Sequence, residues 1–160
     1  MRKALFAGSF DPVTVGHVEI VMRAVALFDE VIIGIGQNSA KKPMFSLEAR
    51  MEMLDLAFSG CPNVRILPFD KLTVEFADEV GARFLLRGLR NGQDLEYERP
   101  IALINRHLDA RIETVYLVSS PEYGHVSSTL VREVARFGRD TKGLVPPGVE
   151  TIMARELAKS

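Results

Sequence analysis

Five short runs rich in Val, Ile, Leu and Phe recur along the chain: KALFA at 3–7, VIIGI at 31–35, VRIL at 64–67, RFLL at 83–86 and TVYLV at 114–118. They are mostly continuous in apolar character rather than alternating, the pattern of parallel strands covered on both faces. Between them the apolar spacing changes to that of helices. Val18, Val21, Met22, Val25 and Phe28 fall on one helical stripe, and Leu47, Met51, Leu54 and Phe58 on another behind Ser46, a helix cap with Glu48 in the first turn. Further stripes are Leu72, Phe76 and Val80, then Tyr97, Ile101, Ile104 and Leu108, then Leu130, Val134 and Phe137, with a last helix over Val149 to Ala158. The alternation predicts an α/β fold: one domain over residues 1–160, an open parallel five-stranded sheet with helices on both faces, Rossmann-like in type. VPPG at 145–148 reads as a turn before the last helix, not as a domain boundary.

In such a sheet the loops that follow the strands lie along one edge, where ligands bind. Those loops are GSFDPVTVGH, GQNSAKKPMF, RGLRNGQDLEYE and SSPEYGHVSST, and they carry Ser9, His17, Lys41, Lys42, Arg87, Arg90 and the Ser127, Ser128, Thr129 run. Cations, hydroxyls and glycine-freed backbone N–H groups gathered at one edge describe a site for phosphates. Thr14 to His17 and Ser127 to Thr129 both fall in opening turns of predicted helices, where unpaired N–H groups favour negative charge.

The charge balance sharpens this reading. With 20 Lys and Arg against 21 Asp and Glu, a net charge of -1, there is no general basic field for nucleic acid or a membrane, so anion binding must be local. A single cysteine, Cys61, forms neither an internal disulfide nor a zinc site, and no apolar run is long enough to span a bilayer; a cytoplasmic protein is expected. MRKALFAGSF lacks the long apolar stretch of a secretory signal, so Met1 onward is read as mature chain.

Plainer readings exist for each residue. Gly8, Gly16 and Asp11-Pro12 suit an ordinary turn, a histidine near a helix start is commonly a packing residue, and Arg87 could pair with a nearby carboxylate. GIGQNS at 34–39 lacks the third glycine of a dinucleotide fingerprint, and no P-loop is present. Asp94, Glu96 and Glu98 show no obvious catalytic pairing, and His107 reads as a helix-end residue.

The residues nevertheless match a known pattern. GSFDPVTVGH resembles the (T/S)xGH signature of the nucleotidyltransferases related to class I aminoacyl-tRNA synthetases, and VSSTLVR at 126–132 resembles their second signature, ISSTxxR. Together with KKPMF, RGLR, DLEYE and NRHL, the chain over nearly its whole length resembles the bacterial phosphopantetheine adenylyltransferases. That resemblance implies transfer of AMP from ATP to 4'-phosphopantetheine, giving dephospho-coenzyme A and pyrophosphate, the penultimate step of coenzyme A synthesis, by in-line attack without a covalent intermediate. By position it implies catalytic roles for His17, Lys41 and Arg90. ATP would be contacted by Ser9, Phe10, His17, Gly88, Leu89, Arg90 and Glu98 and by the loop Tyr123, Gly124, His125, Val126, Ser127, Ser128 and Thr129. The phosphopantetheine would be held by Ser9, Lys41, Thr73 and Arg87.

The resemblance further implies Mg2+ carried mainly by ATP, feedback by coenzyme A, and a homohexamer built as a dimer of trimers. Ser9 stands where threonine is frequent, Val15 where asparagine is, and Gly124-His125 departs from the usual aromatic or serine. The rival readings are a nicotinamide-mononucleotide or glycerol-phosphate nucleotidyltransferase, or a catalytically silent nucleotide-binding module.

Overall fold

The computed structural model describes residues 1–37 and 42–159. Five strands, β1 (Lys3–Gly8), β2 (Glu30–Gly36), β3 (Val64–Phe69), β4 (Phe84–Leu89) and β5 (Glu113–Val118), form one sheet in the order β3-β2-β1-β4-β5. Every neighbouring pair is parallel. Six helices accompany them: α1 (Val15–Val25), α2 (Leu47–Phe58), α3 (Thr73–Glu79), α4 (Gly92–Leu108), α5 (Ser128–Arg136) and α6 (Val149–Leu157). The chain runs outward from β1 to β3, then crosses back to place β4 on the other side of β1. The order therefore reverses between β1 and β4, and the loops leaving these two strands part around a crevice.

Alternate strand residues serve two cores, one on each face, because successive side chains on a strand point to opposite sides. Ala4, Phe6, Val31, Ile33, Ile35 and Leu86 pack with Ile20, Val21 and Ala24 of α1, with Met53, Leu54 and Phe58 of α2, and with Val149, Ile152 and Met153 of α6. Leu5, Ile32 and Leu85 face the other way, onto Phe69, Phe76, Ala77 and Ile112. The alternation on both faces is why the strands read as unbroken apolar runs.

The predicted elements all form, and α2 begins behind Ser46, whose side chain accepts the N–H of Ala49. Three differences in boundary bear on the core and the site. Helix α1 ends at Val25, so Phe28 reaches the core from beyond the helix, where its ring lies 5.3 Å from that of Phe84. Strand β4 runs three residues past Leu86, because Arg87, Gly88 and Leu89 continue the ladder opposite Tyr116, Leu117 and Val118; these three residues are strand, not loop. Helix α4 starts at Gly92 rather than Tyr97, since the Asn91 side chain accepts the N–H of Asp94 and caps it. Among the described residues no helix is long and apolar enough to cross a membrane.

Gly34 marks how tightly the second core is filled. A Cβ placed there would stand 3.0 Å from Leu5 and 3.1 Å from each ring of Phe69 and Phe76, which are stacked with centroids 4.6 Å apart. Gly34→Ala should therefore lower unfolding free energy by about 1–3 kcal/mol in chemical denaturation, the usual cost of overfilling a packed interior; unchanged stability would show that the rings yield freely.

Candidate active site

The crevice is built from the first turn upward. Leaving β1, the chain passes through Phe10 in the left-handed region (φ 45°), a conformation unusual for a residue with a side chain, and then a cis Asp11-Pro12 bond. Phe10 is buried, and its ring meets those of Phe6 and His17 edge-on at 5.5 and 5.1 Å. Thr14 then caps α1 reciprocally with His17. The backbone N–H of His17 donates to Thr14 Oγ1 (3.3 Å), and the backbone N–H of Thr14 donates to His17 Nδ1 (3.0 Å). Thr14 Oγ1 lies 3.1 Å from the same Nδ1.

That reciprocal cap decides the state of the imidazole. A nitrogen that accepts a backbone N–H cannot carry a proton, so in neutral His17 the proton sits on Nε2. Burial, followed by the charges of Arg87 and Arg90, lowers the His17 pKa from 6.5 to about 4. At neutral pH the side chain is therefore an uncharged Nε2–H donor.

The second signature docks directly onto the first. Ser127 caps α5 by accepting the N–H of Leu130 (3.3 Å), Ser128 Oγ donates to the Pro12 carbonyl (2.8 Å), and Arg132 Nη1 donates to the Asp11 carbonyl (2.7 Å). The N-terminus of α5 thus opens beside the start of α1, and two sets of helix N–H groups converge.

From across the crevice β4 brings Arg87, and Arg90 follows just past its end, each held by an acid of α4. Arg87 pairs through Nε and Nη2 with both oxygens of Glu98, and its Nη1 donates to the Ala7 carbonyl (2.6 Å). Arg90 grips Asp94 through Nε (3.1 Å) and Nη2 (3.0 Å), which holds that carboxyl below its usual range. A guanidinium has five N–H donors, so Arg87 keeps two and Arg90 three beyond these bonds. Gly88 between them admits Ile20 of α1, since a Cβ there would stand 3.0 Å from that side chain. Its role in the fold is close helix-to-strand packing.

These groups line a cleft of about 380 Å³. It brings together Ser9, Phe10, His17, Arg87, Gly88, Arg90, Glu98, Val126, Ser127 and Ser128 from the sequence-predicted set. A second cavity of about 230 Å³ shares Ala7, Gly8, Arg87 and Glu98 with the cleft and continues past Leu5, Phe69, Leu85 and Ile101 to Thr73. A third space, lined by Ser9, Lys42, Arg50, Thr129 and Arg132, adjoins the other side of Ser9.

The remaining expected residues are placed differently. Leu89 is buried and lines none of these spaces, while Tyr123, Gly124 and His125 form the approach to α5 without lining the cleft. Lys41 lies outside the described residues. Sequence reading passed over Asp94 as a partner for Arg90, although Asn91 three residues before it is a helix-capping signal that sets Asp94 and Glu98 one turn apart. Among the described residues no cluster of three or more His, Cys, Asp or Glu could hold a metal ion.

Comparison with known proteins gives a consistent result. Residues 5–134 match a family profile described as cytidylyltransferase-like. The chain is 48% identical over 160 residues to the phosphopantetheine adenylyltransferase of Symbiobacterium thermophilum, covering 100% of this chain and 99% of that protein. It is 43% identical to the protein of the same name from Caldanaerobacter subterraneus, with full coverage of both. Among solved structures, a Vibrio parahaemolyticus protein provisionally assigned as a nicotinate-nucleotide adenylyltransferase shares the fold, with a TM-score of 0.74, 17% identity, and coverage of 97% of this chain and 93% of that one.

The buried imidazole makes a prediction in pH. Because folding lowers the His17 pKa from 6.5 to about 4, folding favours the neutral ring, and stability should erode as pH falls through that window. A titration by NMR should find the His17 midpoint near 4 with the proton on Nε2 at neutral pH, and His17→Gln should remove this component of acid sensitivity. A midpoint near the ordinary value would contradict the geometry described.

Proposed function

Because the chain belongs to the cytidylyltransferase-like family and, within it, to the phosphopantetheine adenylyltransferases, we propose that it transfers AMP from ATP to the phosphate of 4'-phosphopantetheine, releasing pyrophosphate and forming dephospho-coenzyme A. The observation that carries this reading is the union of two spaces at the point where the sheet order reverses. A polar cleft with an imidazole donor and helix N-termini adjoins an apolar cavity across shared residues. The former suits phosphates; the latter, reaching Thr73, suits the uncharged arm of the acceptor.

In this reading an oxygen of the acceptor phosphate attacks the α-phosphorus of ATP in line, a new P–O bond forms, and the bond to the bridging oxygen of pyrophosphate breaks. A phosphate monoester has a second pKa near ~6, so the attacking oxygen is already anionic at neutral pH and no general base is needed. The work left to the protein is alignment and charge stabilisation. Neutral His17 donates Nε2–H to an α-phosphate oxygen as charge grows there. Ser9, the Phe10 N–H and the α5 start at Ser127 to Thr129 receive the nucleotide phosphates. Arg90 lends its remaining N–H groups to ATP, and Arg87 does so to the acceptor phosphate, each kept in orientation by its carboxylate partner; Lys41 completes the acceptor contacts in this proposal.

Mg2+ fits as an ion brought by ATP. Both carboxylates that line the cleft are engaged by guanidiniums, so phosphate oxygens would supply most of its ligands. The ion would supply charge neutralisation of the triphosphate. Coenzyme A, which combines a nucleotide with a pantetheine arm, would compete for the same joined spaces. A homohexamer is favoured by α4, which leaves Leu103, Ile104 and Leu108 more than half exposed along one helix. A cytoplasmic location accords with such an activity.

Pyrophosphate release from ATP and Mg2+ should depend on 4'-phosphopantetheine and not on nicotinamide mononucleotide or glycerol phosphate. His17→Ala should lower kcat about 10²-fold or more with a far smaller change in ATP affinity, since a single donor aimed at transition-state charge is worth about that much. Equal losses in affinity and rate would remove His17 from that role. Arg87→Ala should chiefly raise KM for phosphopantetheine, and a defect confined to ATP would refute its assignment.

A further inference from the structure

Asp11 stands apart from the groups given chemical roles above, yet it is only 5% exposed and is bonded to segments far away in sequence. Its Oδ2 accepts the backbone N–H of Met44 (2.8 Å) and its Oδ1 that of Phe45 (2.9 Å). Two consecutive peptide groups are thus held by the two oxygens of one carboxylate. Beyond them Phe45 is buried in the core and Ser46 caps α2, so the chain is anchored from Met44 onward. Two residues before Met44 comes Lys42, which lines the same space as Ser9.

Cations brace the turn from behind. Arg132 of α5 donates to the Asp11 carbonyl and stands 3.9 Å from Oδ2, and Arg50 of α2, itself only 4% exposed, donates through Nη1 to the Ser9 carbonyl (2.8 Å). The first signature, the second signature and residues 42–45 (KPMF) therefore meet at Asp11 or its neighbours.

We infer that Asp11 is a positioning residue, whose carboxylate fixes residues 42–45 (KPMF) against the GSFDP turn so that Lys42 is presented beside Ser9 to the acceptor phosphate. This rests on the reaction proposed above. The chemistry requires a carboxylate, because two N–H donors need two acceptors. An amide of the same shape offers one acceptor and turns an NH2 group toward the other N–H.

The test is Asp11→Asn, read in two independent ways. In hydrogen exchange the amides of Met44 and Phe45 should exchange about tenfold faster or more than in the unaltered chain, while the amides of β2 keep their protection. In steady-state kinetics KM for phosphopantetheine should rise about tenfold while KM for ATP stays within about twofold, as expected for loss of a charge-assisted anchor on one side of the site. In a Lys42→Ala background the same substitution should add little further, because the two residues act as one unit. Unchanged exchange at Met44 and Phe45, an equal rise in both KM values, or full additivity with Lys42→Ala would each overturn the inference. Asp11→Ala should move all readings further in the same direction, and if that variant does not fold, the asparagine variant decides. The exchange experiment needs no substrate, so failure of the unaltered chain to use phosphopantetheine would count against the proposed reaction and leave the carboxylate clamp to be judged on its own.

Discussion

The reciprocal cap between Thr14 and His17 is the interaction on which the proposed chemistry depends. A helix start must satisfy its leading N–H groups, and here one of the partners that does so is an imidazole. The same bond that ends the backbone requirement of α1 also chooses which ring nitrogen carries the proton. Structure and reactivity are therefore not separable at this position: a ring protonated on Nδ1 would lose the Thr14 N–H, and the helix would lose part of its cap. The two nearby guanidiniums help keep the ring neutral, since a third positive charge beside them would be repelled.

The arginines show the same economy. A guanidinium left alone in a half-buried crevice would swing toward any carbonyl or water, losing the orientation a phosphate needs. Glu98 and Asp94, one turn apart on α4, take one edge of each and leave the other edge available. Neither pair is chiefly a source of stability, because the desolvation of both ions offsets much of their attraction. In the proposed reaction their value would lie in holding direction before ligand arrives, so that less ordering remains to be done on binding.

The strands and helices were legible because a two-faced parallel sheet leaves an unmistakable trace in apolar runs, and the edge that gathers the polar loops follows from topology. The two signatures were legible as well, and the fold does join them through Ser128 and Arg132. What the sequence concealed were partnerships that depend on where an element begins. Asn91-Gly92 reads as a turn, and only once it is seen to start a helix do Asp94 and Glu98 face Arg90 and Arg87. Arg87 reads as loop until the pairing of β4 with β5 draws it into the sheet. The shifted pKa of His17 was equally hidden, for it depends on burial and on cations contributed from residues about seventy positions away.

Phe10 carries the remaining consequence. Its φ of 45° is a conformation that costs about 1–3 kcal/mol for a residue with a Cβ, and glycine would adopt it freely. Yet the ring that incurs this strain is the one seated against Phe6 and His17, and Gly8 is spared a side chain whose Cβ would crowd that ring at 3.2 Å. Removing the benzyl group would relax the main chain but empty a place in the core, a loss of about 3–5 kcal/mol for a buried aromatic ring, so the strained turn is held in place by the same packing that seats the imidazole.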